Sequence, residues 1–442
     1  MRIPRRPPAR SALEDAVGTS ARLRAIFDVV RSPLANEKYL HWDRLGYYEP
    51  PGGLTHEEWW YALKLRRESA RVEIPLTDKE GVHFSFTQVG ELLEFVSTID
   101  RQFGGSVPLP EGLGRSDLRS YYIDRTRIEE AYTSSQLEGA ATTRAAAREI
   151  ILLGRPPRNR GERMVLNNYH TMEYIRSIRD EPLTRENLFS LHRMVTDEAR
   201  DDASAAGRLR RPEESVVIGP AYEETIYHVP PDSSELSHRL DQMIAFANGE
   251  TPGGFVHPVI RAMILHFWLA YDHPFVDGNG RSARALFYWS MLRHGYWLFE
   301  FLSISHVILK GAMRYQEAYL FTETDANDLT YFLLYHADIV RRAMSEMLAE
   351  VVKEGEDRRQ ALDDYAALDS LNERQRQVVL HAVRRPGSRY TVESHRASQG
   401  VVTQTARTDL QGLVERGLMR MVKIGRAFHF IPVENLEEKL RG

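Results

Sequence analysis

The chain of 442 residues contains no cysteine. That removes disulfides, thiolate metal ligands and cysteine nucleophiles, and it fits a reducing compartment, so a cytoplasmic location is expected. No apolar run reaches the ~18 residues needed to cross a bilayer. The nearest, 262–271, is interrupted by His266, and no membrane partner is expected. The basic start Met1-Arg2-Ile3-Pro4-Arg5-Arg6-Pro7-Pro8 has no apolar segment behind it, so no secretion leader is expected there. Charge of one sign is not in excess either. The 58 Lys+Arg stand against 62 Asp+Glu, a net charge of −4, so the chain as a whole is not a generic polyanion binder. No internal repeat is visible at the ~20–50-residue periods of repeat proteins. The length suffices for two or three domains with cores of their own.

The densest chemistry lies in His273-Pro274-Phe275-Val276-Asp277-Gly278-Asn279-Gly280-Arg281-Ser282-Ala283-Arg284. Residues 259–271 before it are apolar almost all round, the pattern of a buried helix. Residues 282–294 after it place Ala283, Leu286, Phe287, Ser290 and Met291 on one helical face, with Gly295 as the stop. Pro274 helps to end the first helix. Gly278 and Gly280 permit backbone angles that other residues avoid, so the main chain of 278–281 can present N–H groups at the start of the second helix as an anion site. Arg281 and Arg284 are three apart, share a helix face and are read as pointing at that anion. Asp277 suits a hard cation such as Mg²⁺, held by a carboxylate and substrate phosphates. His273 is the group here that accepts a proton near neutral pH without a large shift. By spacing alone, a plain helix connector with a surface histidine remains the other reading.

The whole string resembles the signature of the Fic (filamentation induced by cAMP) family, His-Pro-Phe-x-Asp/Glu-Gly-Asn-Gly-Arg-x-x-Arg, and matches it at every fixed position. The resemblance covers about 118–345. It implies an enzyme that transfers AMP from ATP to a Ser, Thr or Tyr hydroxyl of a protein target. In such an enzyme His273 is the base and Asp277 holds Mg²⁺ between the α- and β-phosphates. The main chain of Gly278, Asn279 and Gly280 holds the α-phosphate, and Arg281 and Arg284 hold the β- and γ-phosphates. The alternatives are an enzyme that removes AMP, a bifunctional one, or a DNA-binding regulator with a weakly active core.

Upstream, Ser134-Ser135-Gln136-Leu137-Glu138-Gly139 places a carboxylate at a helix end that Gly139 terminates, where the dipole disfavours it. On residues alone this is either a solvated glutamate or one with a partner elsewhere. The run is similar to the inhibitory motif Ser/Thr-x-x-x-Glu-Gly/Asn of Fic proteins. That similarity implies that Ser134, Glu138 and Gly139 form a block in which Glu138 pairs with Arg284. Residues 215–220 and 225–231 look like two strands joined by a loop at 221–224. They resemble the β-hairpin flap of Fic domains, with Val216, Val217, Ile218, Ile226 and Tyr227 docking a target segment.

The expected fold is mainly α. A loose arm at 1–20 precedes a mixed, mostly helical region at 21–117 with no assigned chemistry. The helical Fic core with its flap occupies 118–345, a charged helix or linker 346–370, and a C-terminal domain 371–442. In that last segment helices at 372–383, 391–397 and 403–416 precede strands at 418–422 and 427–431. The order resembles a winged helix-turn-helix domain. Residues 371–442 hold 13 Lys+Arg and 7 Asp+Glu, a local excess of +6. Arg407 on the third helix and Arg426 between the strands are placed for DNA phosphates, with a protein contact as the other reading. A second copy of the chain is a further candidate partner.

Overall fold

Apolar residues three and four apart recur through most of the sequence, and in the computed structural model they form a mainly helical protein with few strands. The structure describes residues 2–18, 22–31, 38–103, 116–197, 203–219, 225–251, 254–384, 388–424 and 427–441. By internal contacts the chain forms two units, one of residues 1–105, 170–299 and 304–341, the other of residues 106–169, 300–303 and 342–442. The division cuts across the boundaries expected at 117/118, 345/346 and 370/371. Two of its cuts fall inside the helices Arg160–Ser177 and Thr330–Asp364, where no Pro- or Gly-rich stretch marks them.

In the first unit, the segment expected as a loose arm carries the helix Arg10–Gly18. Its Leu13 and Val17 are buried with Ile26, Trp59, Trp60 and Leu63 in one apolar cluster. Burying an aliphatic side chain of this kind contributes about 1.5–3 kcal/mol, enough to order a short helix that is marginal alone. The helix His56–Glu68 opens with the capping box its sequence predicts, Thr55 and Glu58 bonding each other's main-chain N–H groups. Trp59 and Trp60 both belong to the core. Strands Arg71–Thr77 and His83–Thr87 pair antiparallel, from Arg71 opposite Thr87 to Thr77 opposite His83. Pro75 interrupts the alternation of the first strand, yet Ile74 and Leu76 on one face of it are buried.

The centre of this unit is the helix Pro258–Asp272, buried along nearly its whole length, packed against Asn279–Arg293 and Leu236–Asn248. The two strands expected at 215–220 and 225–231 are reduced to one antiparallel bridge between Ile218 and His228, with Tyr227 N–H also donating to the Ile218 carbonyl. Pro230 and Pro231 have no N–H to extend a ladder. Val217 and Ile226 are exposed, while Val216, Ile218 and Tyr227 are half-buried. The expected loop at 221–224 lies outside the described residues.

In the second unit, the helix Ser116–Leu137 ends in a Schellman arrangement. Ala140 N–H donates to the Ser135 carbonyl, Gly139 N–H donates to the Gln136 carbonyl, and Gly139 has φ 84°. Helix Arg144–Leu153 follows, capped by Thr143. The segment expected as a charged helix or linker is, as far as Asp364, the end of one helix, Thr330–Asp364. Its Lys, Glu and Arg residues are good helix formers, and the single Gly355 costs only about 1 kcal/mol. Helices Glu373–Arg384, Val392–Gln399 and Thr403–Glu415 precede strands Met419–Ile424 and Ala427–Pro432, and Tyr390 bridges to Phe430 beside them. They enclose a core of their own around Leu368, Val379, Leu410, Leu413 and Leu440. Asp409 is buried among His395, Arg374 and Asn372. Burial opposes its charge, but these three donors together hold its carboxyl well below the usual range. Helix Val392–Gln399 packs on both Ser116–Leu137 and Arg144–Leu153.

Candidate active site

The buried helix Pro258–Asp272 ends at His273, whose backbone is left-handed at φ 46°, ψ 54°. A non-glycine residue there costs about 1–2 kcal/mol, so the surroundings must hold it. His273 Nδ1 lies 3.2 Å from the Ala270 carbonyl oxygen. A carbonyl only accepts, so Nδ1 carries the proton and the lone pair of the neutral ring sits on Nε2. The helix thus fixes the tautomer of the residue expected to act as base. The ring is half-buried.

The turn from Pro274 to Gly278 is pinned from inside. The Asn279 side chain closes it on Phe275, accepting from its N–H at 3.0 Å and donating to its carbonyl at 2.8 Å. Any contact of position 279 with a phosphate is therefore left to its main chain. Gly278 has φ 81°, and a Cβ there would meet Val195 Cγ1 and Thr196 Cγ2, each at 3.0 Å. Glycine is required twice over, by conformation and by space. Gly280 corrects the expectation: it lies in the first turn of Asn279–Arg293 and does not use positive φ. Gly278, the N-cap, has no side chain to bond the first-turn N–H groups, which suits an anion in that place.

The arginines do not act as an undivided pair. Arg281 Nη1 donates to the Val195 carbonyl at 2.8 Å, at the end of helix Arg185–Thr196, and Nη2 lies 3.4 Å from Asp277 Oδ1. Arg284 lies near His266 and Tyr319, whose protonation its charge affects. Both arginines are buried. The Asp277 carboxylate accepts from the Gly278 N–H at 2.6 Å, and its side chain is 31% exposed. It is the sole carboxylate of 273–284. Mg²⁺ typically takes one or two protein carboxylates and completes its shell with water and phosphate, so this donor set fits that ion only together with a phosphate substrate. Among the described residues no group of three or more His, Asp or Glu could hold a metal alone.

Three residues that sequence reasoning passed over support the turn. His192, fully buried, stacks on Phe275 with ring centroids 3.7 Å apart. Its Nε2–H donates to the Asp277 carbonyl at 2.8 Å, and its Nδ1 accepts from Gly207 N–H at 2.9 Å. Arg210 donates to the carbonyls of His273 and Pro231. Arg239 forms a buried ion pair with Asp272, N to O 2.7 Å, and Trp268 Nε1–H donates to the other carboxylate oxygen at 2.9 Å. The one signal for His192 was a polar residue inside an apolar face, beside Leu188 and Leu191; the arginines carried none.

Of the remaining expected residues, Ser134 is buried, Glu138 is exposed at the C-cap of its helix, and Gly139 ends it. They belong to the second unit. Arg407 is exposed on Thr403–Glu415, and Arg426 lies outside the described residues.

Residues 182–291 match the model of the Fic/DOC family. The chain is 26% identical over 244 residues to a protein adenylyltransferase Fic of Culex quinquefasciatus, covering 53% of this chain and 43% of that protein. It is 25% identical over 235 residues to the protein adenylyltransferase Fic of Nematostella vectensis, covering 51% and 50%. It thus spans about half the length of the curated relatives it matches, or somewhat less. Its fold is similar to the crystal structure of a Fic family protein from Desulfovibrio desulfuricans G20, with TM-score 0.50, 19% identity and coverage of 79% of this chain and 98% of that one. The chain carries a Fic/DOC domain at 182–291, and no helix among the described residues is long and apolar enough to cross a membrane.

Proposed function

We propose that the chain is a protein adenylyltransferase, which moves AMP from ATP to a hydroxyl side chain of a protein. The observation that carries this reading is the His273 ring, with its proton fixed on Nδ1 by the Ala270 carbonyl, one loop away from an uncapped helix N-terminus at Gly278. His273 Nε2 takes the proton of the target hydroxyl as its oxygen bonds to the α-phosphorus, and the bond to the β-phosphate bridging oxygen breaks to release pyrophosphate. The first-turn N–H groups after Gly278 stabilise charge on the α-phosphate, and Arg281 and Arg284 supply positive charge for the rest of the chain of phosphates. Asp277 would hold Mg²⁺, which when bound neutralises phosphate charge.

Glu138 is proposed as an inhibitory carboxylate acting on Arg284. Its support is its place as an exposed C-cap held by a Schellman turn, a charge that the local helix disfavours. The segment around Ile218 and Tyr227, with Val217 and Ile226 exposed, is proposed to dock the target. Residues 371–442 are proposed as a winged helix that binds DNA through an exposed helix face bearing Gln404, Arg407, Thr408 and Gln411. A cytoplasmic location fits the absence of cysteine.

The test is to incubate the protein, and its Glu138→Gly variant, with labelled ATP and cell lysate and to map the label by mass spectrometry. AMP on a hydroxyl residue is expected. No labelled protein with either form would sink the assignment.

A further inference from the structure

Two polar side chains tie the segment 225–231 to the turn that carries His273. His228 bonds the Tyr271 carbonyl at 2.7 Å through Nε2, two residues before His273, and its Nδ1 lies 2.8 Å from Glu323. Arg210 does more. Its Nε–H donates to the His273 carbonyl at 3.0 Å, its main-chain N–H to the Pro274 carbonyl at 2.9 Å, and its Nη2–H to the Pro231 carbonyl.

Arg210 is buried, and among the described residues its hydrogen bonds go to the carbonyls of His273, Pro274 and Pro231. Burial lowers its pKa, against the nearby charges of Asp232 and Asp272. A charge is costly in such a place unless its donors are well used. Its own loop is braced for the purpose. Arg208 grips both carboxylate oxygens of Glu214, which also accepts from Arg211 N–H, and these donors pull the Glu214 carboxyl down to about 2. Gly207 is bonded to His192, which holds the far side of the same turn at Asp277.

The strained residue and the clamp coincide. His273 is one of three described non-glycine residues with positive φ, and Arg210 fixes the carbonyls on both sides of the His273–Pro274 bond. We infer that Arg210 is a positioning residue, which holds the His273–Pro274 turn in its left-handed form and links the segment ending at Pro231 to the aim of the His273 ring. This rests on the proposed AMP transfer only for its kinetic consequence. Lysine cannot replace it, because one ammonium on a flexible stem does not reach two carbonyls in a fixed fork.

The experiment compares full-length wild type with Arg210→Lys and Arg210→Met. ATP binding is followed by calorimetry, AMP transfer by kcat and KM, and the His273 ring by its ¹⁵N spectrum, assigned through His273→Gln. In both variants kcat should fall by roughly 100-fold, the scale of a misplacement near 1 Å. KM for ATP and the ATP dissociation constant should stay within about twofold, since the predicted phosphate-binding groups are untouched. The His273 signals should move from a single Nδ1–H tautomer to a mixture. An unchanged kcat with an unchanged His273 spectrum overturns the inference. So does a loss of transfer matched by equal losses of ATP binding and of Tm, which marks a purely structural arginine. If wild type transfers no AMP, the reaction assignment fails, and the His273 spectrum of Arg210→Lys alone decides the positioning role.

Discussion

His273 joins two demands in one residue, a strained backbone and a fixed tautomer. If its Nε2 takes the target proton, His273→Ala should reduce AMP transfer by about 10²–10⁴-fold, the usual loss for a general base. The melting temperature should barely change, because the side chain is half-buried and its bond to the Ala270 carbonyl stays within its own helix end. A folded His273→Ala variant that labels at the wild-type rate contradicts the assigned role. Gly278 offers a test of the turn itself. In Gly278→Ala the new Cβ meets Val195 and Thr196 at 3.0 Å and the backbone must hold φ 81°. The substitution should cost about 1–3 kcal/mol of stability, readable by chemical denaturation. It should also weaken ATP binding, because relief of the clash turns the first-turn N–H groups away. Unchanged stability would show that the loop relaxes freely.

Elements set what the inhibitory and C-terminal segments can do. The helix Ser116–Leu137 holds Glu138 at its C-cap through main-chain bonds that survive side-chain removal, so Glu138→Gly should leave the helix end intact. Auto-labelling should then rise well above wild type, and Glu138→Gly/Arg284→Ala should lose the gain. A pre-labelled target separates inhibition from AMP removal, since only a remover strips it. If neither labelling nor stripping responds to Glu138→Gly, Glu138 is a solvated surface residue. On Thr403–Glu415, Arg407 is exposed while Ala406, Asp409 and Leu410 are buried, so its substitution should not disturb the core. If the face binds DNA, Arg407→Ala should weaken binding across sequences and reduce the slope of log affinity against log salt by about 1. An unaltered slope favours a protein partner.

At the scale of the whole molecule, acid sensitivity follows from buried imidazoles. Burial lowers His336 to about 3 and His41 to about 4. It also puts His266, which faces His336 at 2.9 Å, well below its ordinary value. In the unfolded chain each titrates near ~6.5, so between that pH and the folded values the unfolded state binds more protons. The stability these residues contribute is therefore complete above pH ~6.5 and is lost as pH falls from there toward the folded pKa. At pH 5 the loss should be roughly 2 kcal/mol for His336, and His336→Gln should flatten the slope by about one proton. Urea denaturation between pH 7.5 and pH 5, within about that range, measures it. A stability that does not fall over this range would mean that these rings are not held neutral.

What could be read in the sequence was local. The capping box at Thr55 and Glu58, the helix stop at Gly139 and the breaks around Pro274 and Gly278 depend on backbone groups a few residues apart, and short-range chemistry specifies them. The twelve-residue string was legible for the same reason, with His273, Asp277, Gly278 and the two arginines contiguous. Tertiary structure decided whatever depends on distant groups. Arg210, His192 and Arg239 meet the turn from 63, 85 and 33 residues away; His192 is marked locally only as a polar residue on an apolar face, and the two arginines not at all. The separate neighbours of Arg281 and Arg284 are equally invisible to an i, i+3 spacing, because a shared helix face does not fix where long side chains end. The strands expected at 215–220 and 225–231 and the helix in the N-terminal arm differ from expectation in opposite directions, one reduced to a single bridge and the other gained. The prolines denied one its ladder, and a distant apolar cluster around Trp60 supplied the other with the burial that its own sequence lacks.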